Sequence, residues 1–162
     1  MSLVTADGQR IGVVGVQSLS VWLPSDWEAD KEQQLFELVA LGPAEALYRP
    51  NISIHHVSVD AELSLEAIAD STARKQVEML DTFVEYDRRP NSLAGSAAVH
   101  REYGWVQAGT GLVLYQVEDI ALPETTPGHL LEVHATSFAP SYFRYAALFR
   151  RMIESIQPAL ST

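Results

Sequence analysis

Five histidines are the residues whose chemistry best suits metal binding or proton transfer: His55, His56, His100, His129 and His134. His55 and His56 are adjacent in a β-rich segment, and neighbouring strand residues point to opposite faces, so this pair cannot chelate one ion. His100 and His134 can become neighbours across strands, but the sequence offers no third ligand. The chain has no cysteine, which excludes thiolate ligands and thiol nucleophiles. We therefore predict neither a metal site nor a cofactor.

Three other segments resemble chemical motifs without completing them. The acidic segment from Asp26 to Glu32 lacks the central glycine of a calcium-binding loop, and Trp27 and Ala29 interrupt its acids. Residues 11–16 lack the third glycine and the following helix of a dinucleotide-binding loop. Ser96 follows one glycine, but a nucleophile elbow has a second glycine and a helix after the serine. We predict no catalytic residue, because an exposed acidic turn and β-strands explain these segments.

Aromatic and arginine side chains near predicted turns are the candidates for a binding surface. Trp105 lies at a predicted hairpin tip beside Tyr103, where it either folds back over the sheet or is exposed to a partner. Tyr48 and Arg49 form a similar pair in a predicted loop. Arg101 either binds a carboxylate or forms a cross-strand ion pair, and we favour the ion pair. The predicted partner- or ligand-binding residues are Tyr48, Arg49, Arg101, Tyr103 and Trp105.

The composition is that of an acidic globular protein. The chain has 162 residues, of which 47% are hydrophobic, and this suits one domain with one core. Its net charge of −10 repels phosphate backbones, so we predict no nucleic-acid partner. No apolar run approaches the roughly 20 residues that span a bilayer, and the N-terminus lacks the pattern of a signal peptide. The sequence as it stands predicts a cytoplasmic protein, which would be exported if a leader was removed.

Two helices and a series of strands are expected to position these residues. Ser64 is suited to cap a helix over residues 64–80. Apolar residues recur at steps of three and four from Tyr142 to Ile156, which predicts a helix near 140–157 with one broad apolar stripe. Strands are predicted at 19–23, 35–41, 51–60, 82–86, 96–103, 106–120 and 130–136. Turns are predicted at 88–91 and 104–105, with a kink or bulge at 109–111 and a bulge or edge position near 55–56.

The order of these elements predicts an α+β fold. Hairpin-linked strands with two separated helices favour a mostly antiparallel sheet with helices on its faces. The stripe of the last helix is expected to seal the apolar side of that sheet. We predict a partly flexible N-terminal extension over residues 1–17, a single domain over 18–157 and a tail over 158–162.

The arrangement of motifs is similar to that of a known family. An alternating strand ends in Leu23-Pro24 and is followed by Trp27, and later come a strand after Pro50, a glycine before the small-residue strand at 96–98, and an aromatic C-terminal helix. This pattern resembles the PsbP-like superfamily, which includes photosystem PsbP, the Ran-binding Mog proteins and bacterial DcrB-type proteins. The resemblance covers about residues 18–157. It implies an α/β/α sandwich around a central, mostly antiparallel sheet, and a binding or accessory role. The cysteine of the lipid-anchored members is missing.

Two functions follow from these considerations. The first is a non-enzymatic, protein-binding accessory module, adaptor or chaperone-like, whose partner is unidentified. It would expose an apolar patch on one sheet face or beside the last helix. The alternative is a small-molecule-binding protein or a cryptic enzyme, with a pocket of roughly 300 Å³ or more between sheet and helix. Homodimerisation through a sheet edge is left open.

Overall fold

Two antiparallel sheets and two helices make up the structure, a computed structural model that describes residues 7–45 and 47–159. The helices are α1 (Leu65–Met79) and α2 (Tyr142–Glu154), and a 3-10 turn (Ala139–Ser141) precedes α2. The strands are β1 (Gly8–Val13), β2 (Leu19–Pro24), β3 (Glu28–Ala29), β4 (Leu38–Leu41), β5 (Asn51–Ser58), β6 (Asp81–Leu93), β7 (Ser96–Val106), β8 (Val113–Ala121), β9 (His129–Phe138) and β10 (Gln157–Pro158).

The larger sheet has seven strands in the order β3-β4-β5-β9-β8-β7-β6, and every neighbouring pair is antiparallel. The smaller sheet has the order β1-β2-β10 and is antiparallel as well. Strands that follow one another in sequence are mostly paired, because short turns join them. The predicted α+β class with a mostly antiparallel sheet is confirmed.

The helices cover opposite faces of the larger sheet. Ala98 belongs to the core cluster that contains Phe149 of α2, whereas Val99, the next residue, packs in a second cluster with Ile68 and Ala69 of α1. Since consecutive strand residues point to opposite faces, the two helices lie on different sides. We call these sides the α2 face and the α1 face.

The main core lies on the α2 face. Buried residues of β2 and α2 pack there against the sheet, and Phe149 and Met152 have no exposed surface. Trp27 is 4% exposed and meets Phe149 edge to face, with 6.3 Å between ring centroids. The apolar stripe predicted on the last helix is therefore buried against the sheet, as expected.

Both predicted helices begin at local signals. The Ser64 side chain accepts a hydrogen bond from the backbone N–H of Ala67 at 3.1 Å, which satisfies one of the free donors in the first turn of α1. Pro140 lies in the 3-10 turn before α2, where its missing N–H costs no helical hydrogen bond. The boundaries agree with the predicted ranges to within a few residues.

The end of α2 is fastened to the smaller sheet. The Ser155 hydroxyl accepts a hydrogen bond from the backbone N–H of Trp22 at 2.8 Å, and its carbonyl accepts one from the Arg10 guanidinium at 2.9 Å. The Arg151 guanidinium lies 3.8 Å from the centre of the Trp22 ring. These contacts join residues more than 100 positions apart in the chain.

Two turn predictions are wrong, because β6 and β7 are longer than their sequences indicated. Residues 88–91 continue β6, and Pro90 is accommodated because β6 is an edge strand whose outer side needs no donor. The turn lies instead at Ala94-Gly95, whose φ values of 50° and 82° fit a tight two-residue hairpin. Likewise, Gly104 and Trp105 lie within β7, and the connection to β8 is at residues 107–112.

Three further expectations agree only in part with the structure. No bulge occurs near residues 55–56, because β5 pairs with β9 in one continuous register, but the pairing of β5 with β4 ends at Ile54, so the edge position, the other alternative, is what the structure has there. The alternation of apolar and polar residues changes there because both faces of the sheet are covered, so apolar side chains can lie on either face. The strand predicted at 35–41 is shorter and begins at Leu38. Residues 8–13, placed in the predicted extension, form β1, while residues 1–6 and 160–162 lie outside the described part of the chain.

Candidate functional site

Polar side chains of three neighbouring strands, β6, β7 and β8, lie side by side on the α2 face. Asp87 pairs with Glu102 across β6 and β7, and Arg89 pairs with His100 in the next row. Asp119 of β8 is the cross-strand partner of His100. We call these five residues the His100 cluster.

A bulge in β6 places Asp87 in this cluster. Glu85 pairs with Tyr103, but the next pair is Asp87 with Glu102, so Tyr86 is an additional residue in β6. A regular register would direct Asp87 to the α1 face, because side chains alternate along a strand.

His100 is held between two carboxylates. Its Nδ1 lies 3.1 Å from Asp119 Oδ2, and its Nε2 lies 3.0 Å from Glu102 Oε2. Asn91 donates to the other oxygen of Asp119 at 2.9 Å. Burial opposes protonation of His100, but its hydrogen bonds to Asp119 and Glu102 raise its pKa above the usual value. Because each ring nitrogen faces a carboxylate of the protein, neither is directed at a substrate from which it could abstract a proton.

Glu102 is oriented by two tyrosines. The hydroxyls of Tyr115 and Tyr142 donate to Glu102 Oε1 at 3.1 and 2.7 Å. Burial alone would raise the pKa of Glu102, but the hydrogen bonds from His100 and from both tyrosines lower it. Burial and the neighbouring carboxylate raise the pKa of each tyrosine. Glu102 is thus an anion that presents its Oε2 to His100.

A small cavity lies between this cluster and α2. Its volume is about 100 Å³, and its lining includes His100, Glu102, Asp119 and Arg150. This is smaller than the roughly 300 Å³ expected for a small-molecule pocket between sheet and helix. The space suits an ion with its waters better than a metabolite.

The α2 face becomes apolar beyond Glu102, towards the other end of the same strands. We call the five residues there the aromatic end: Val84, Tyr86, Val106, Val113 and Tyr115. Tyr86 stacks on Tyr115 with 5.6 Å between centroids, and Tyr115 stacks on Tyr142 at 3.9 Å. Tyr86 is 60% exposed, Val113 45% and Val84 43%, so α2 leaves this end of the sheet uncovered.

The α1 face carries a buried ionic row. The side chain of Arg101 is fully buried and lies 2.8 Å from Glu118 and 2.8 Å from Glu85. Glu118 also contacts His134 at 3.1 Å and accepts a hydrogen bond from the Tyr103 hydroxyl at 2.9 Å. Burial would raise the pKa of Glu118, but His134 and Arg101 lower it to about 2. Each charged group of the row therefore has a partner of opposite charge within the row.

Solved structures with similar folds are found, although sequence identity to them is low. LpqN, involved in cell envelope biogenesis of Mycobacterium tuberculosis, has a TM-score of 0.69 at 15% identity, over 94% of this chain and 92% of LpqN. Cyanobacterial PsbP from Synechocystis has a TM-score of 0.65 at 12% identity, over 98% and 96%. The Ran-binding protein Mog1p of Saccharomyces cerevisiae has a TM-score of 0.65 at 8% identity, over 95% and 96%.

The chain has a PsbP/Mog1-type fold. The resemblance stated from the sequence is confirmed at the level of the fold. Neither a protein-family model nor a curated protein sequence matches the chain. None of the helices described for this PsbP/Mog1-type chain is long and apolar enough to cross a membrane.

The PsbP/Mog1-type fold does not bring the five predicted binding residues together. Arg101, Tyr103 and Trp105 share the α1 face of β7, where Arg101 forms the cross-strand pair with Glu118 that the sequence favoured. Tyr48 and Arg49 precede β5, which is three strand spacings, or roughly 14 Å, from β7.

Burial differs among these five residues. Arg101 and Tyr103 are buried, whereas Tyr48, Arg49 and Trp105 are half-buried. Arg49 pairs with Glu28 at 2.9 Å. The role of all five in binding stays a prediction.

The His100 cluster and the aromatic end were not predicted from the sequence. The false turns at 88–91 and 104–105 divided the strands that carry both. One signal was present: Asp87, Arg89 and Asn91 recur at every second position, as do His100 and Glu102. Polar side chains at this spacing share one face of a strand.

Proposed function

We propose that this chain is a non-enzymatic accessory module that binds a protein partner through the aromatic end. The observation that supports this role is the uncovered apolar surface at that end of the α2 face. An exposed face of an antiparallel sheet is usually polar. Here Val84, Tyr86 and Val113 are exposed together, beside the tyrosine stack.

The size of this surface supports a specific contact. An aromatic side chain has roughly 150–250 Å² of surface, so Tyr86 at 60% exposure presents on the order of 120 Å². The valines and the partly exposed Tyr115 enlarge the patch. Phe143, which follows Tyr142 in the first turn of α2, is 78% exposed. Apolar patches of a few hundred Å² on soluble proteins commonly mark binding sites.

The tyrosine stack gives this surface a rigid base. Tyr115 and Tyr142 are fixed by their hydrogen bonds to Glu102, so both rings keep their positions when no partner is bound. Rigid aromatic side chains lose little conformational entropy on binding. An adaptor or a chaperone-like protein would use this base to hold apolar side chains of its client.

The binding residues predicted from the sequence lie in two other regions of the molecule, which compete with the aromatic end as possible contact surfaces. Trp105 is half-buried on the α1 face, where its ring lies 6.0 Å from that of Tyr103, and Tyr48 and Arg49 belong to a third region. A binding experiment must therefore distinguish the aromatic end from these residues.

The test compares variants of the full chain as bait in an extract of the native host. Tyr86→Gln with Val113→Thr makes the aromatic end polar while retaining residues that β-strands tolerate. Val77→Gln is the matched control, because Val77 is 65% exposed on α1. Trp105→Ala reports on the α1 face.

We expect a stoichiometric partner that the wild type and Val77→Gln both retain. Loss of central aromatic contacts typically costs about 2 kcal/mol, so the affinity of the double variant should fall roughly 30-fold. The proposal is refuted if no stoichiometric partner is found, or if the double variant binds as tightly as the control. If only Trp105→Ala lost the partner, the contact would be assigned to the α1 face.

A further inference from the structure

We propose that Asp87, His100 and Glu102 form a binding site for one divalent transition-metal ion, with Zn²⁺ and Mn²⁺ as the best-suited ions. One ligand atom from each residue lies within 4.8 Å of the other two. This inference is independent of the proposed partner binding.

The ligand atoms are held by a surrounding shell of hydrogen bonds. Asp119 faces Nδ1 of His100, which places the proton there and directs Nε2 towards the site. Asp119 is itself 1% exposed and is fixed by Asn91. A buried carboxylate behind a histidine is the arrangement that orients metal-binding imidazoles and increases their basicity.

Glu102 is oriented in the same way. Tyr115 and Tyr142 occupy its Oε1, so Oε2 remains for the site and lies 3.0 Å from Nε2 of His100. Asp87 contacts Arg89 through one carboxylate oxygen, which leaves the other available. Each acidic ligand therefore has one anchored oxygen and one that can bind an ion.

The charges of the cluster suit a dication. Asp87, Glu102 and Asp119 contribute three negative charges and Arg89 one positive charge, so the set carries −2 when His100 is neutral. A metal ion bound to Nε2 would take the place of the proton that His100 now shares with Glu102. One imidazole and two carboxylates favour Zn²⁺ or Mn²⁺ over Ca²⁺ and Mg²⁺, which prefer oxygen ligands alone.

The adjoining cavity supplies the remaining coordination positions. Its volume of about 100 Å³ can hold a few water molecules beside the three protein ligands. Its lining on the helix side includes Tyr142 and Arg150. A site with three protein ligands and open positions would also accept a small anion on the metal.

The first experiment measures metal binding by the full, chelator-treated protein. Calorimetric titration with ZnCl₂ and MnCl₂ should show one equivalent bound with a micromolar Kd. His100→Gln and Glu102→Gln should abolish this step. Asp119→Asn, which alters only the supporting carboxylate, should weaken it about 10- to 100-fold. His129→Gln is the control for surface histidines and should bind as the wild type does.

A second measurement needs no variant and so does not depend on the folding of the mutants. Mn²⁺ broadens NMR signals of nearby nuclei, and broadening should centre on residues 87, 100 and 102 and extend to 119 and 142. The proposal is overturned if the wild type binds no Zn²⁺ or Mn²⁺, if folded His100→Gln binds as tightly as the wild type, or if broadening centres on another acidic segment.

Discussion

Replacement of Arg101 by methionine is the most direct test of the buried ionic row. Three polar contacts fix the guanidinium: Glu118 at 2.8 Å, Glu85 at 2.8 Å and Gln76 at 2.7 Å. Its side chain is fully buried, and Glu118 is 3% exposed. Arg101→Met would leave Glu118 charged and buried, with only His134 and Tyr103 as partners.

The cost of this replacement follows from the burial of the pair. Removal of one member of a buried ion pair typically destabilises a protein by about 3–5 kcal/mol. The lowered pKa of Glu118 shows that its surroundings in the folded state favour the anion, and His134, which remains in the variant, contributes to this together with Arg101. We expect Arg101→Met to reduce the free energy of unfolding by about 3 kcal/mol and the melting temperature by roughly 6–12 °C.

The assay is urea unfolding followed by tryptophan fluorescence, since the chain has three tryptophans. A double-mutant cycle with Glu118→Leu isolates the interaction between the two side chains. The double variant replaces the pair by apolar groups, and its free energy of unfolding should lie within about 1 kcal/mol of the wild-type value.

Two results would refute this reasoning. One is a loss below about 1 kcal/mol for Arg101→Met, and the other is additivity of the two single variants in the cycle. If Arg101→Met were stable but lost its protein partner, Arg101 would act in binding, as the sequence predicted.

Three other predictions concern pH, the core and a helix cap. The Glu118–His134 pair should stabilise the fold most between about pH 4.5 and 6.5, because the pKa of Glu118 is lowered and that of His134 is raised. In urea unfolding, the difference in the free energy of unfolding between the wild type and Glu118→Gln should therefore become smaller below pH 4.5 and again at high pH. Phe149→Ala should cost about 3–5 kcal/mol, while Phe143→Ala on the same helix, 78% exposed, should change stability by under about 0.5 kcal/mol. Ser64→Ala should cost about 1 kcal/mol in thermal unfolding, and Ser64→Asn should restore the cap.

Each of these predictions has an outcome that contradicts it. If the difference in unfolding free energy between the wild type and Glu118→Gln did not change with pH, the negative charge of Glu118 would contribute nothing to stability. Equal effects of the two phenylalanine variants would place the buried face of α2 elsewhere. An unchanged melting temperature for Ser64→Ala would mean that water replaces the cap at no cost.

Helices were the part of the fold that the sequence predicted well, because their signals are local. The steps of three and four from Tyr142 to Ile156 lie on one helix and identify its buried side without knowledge of the rest. Ser64 similarly marks the start of α1. The antiparallel sheet followed from the order of strands and short connections.

Strand lengths and the site were not predictable in this way, because they depend on distant partners. Pro90 reads as a turn residue, and only the edge position of β6 makes it compatible with a strand. Gly104 reads as a hairpin glycine, but it lies beneath the ring of Tyr86. The contact of Asp87 with Glu102 requires the bulge at Tyr86, and no periodicity in the sequence reveals a single extra residue.

The attachment of Ser155 to β2 has a consequence for how the chain folds. The bond between Ser155 and Trp22 spans 133 residues, and β10 completes the smaller sheet from the same distant segment. Contacts of such separation form slowly, because a large loop must close first. The local hairpin of β1 and β2 can form early, but β10 cannot join it until almost the entire domain has emerged from the ribosome, so completion of the smaller sheet is expected to be the last event of folding.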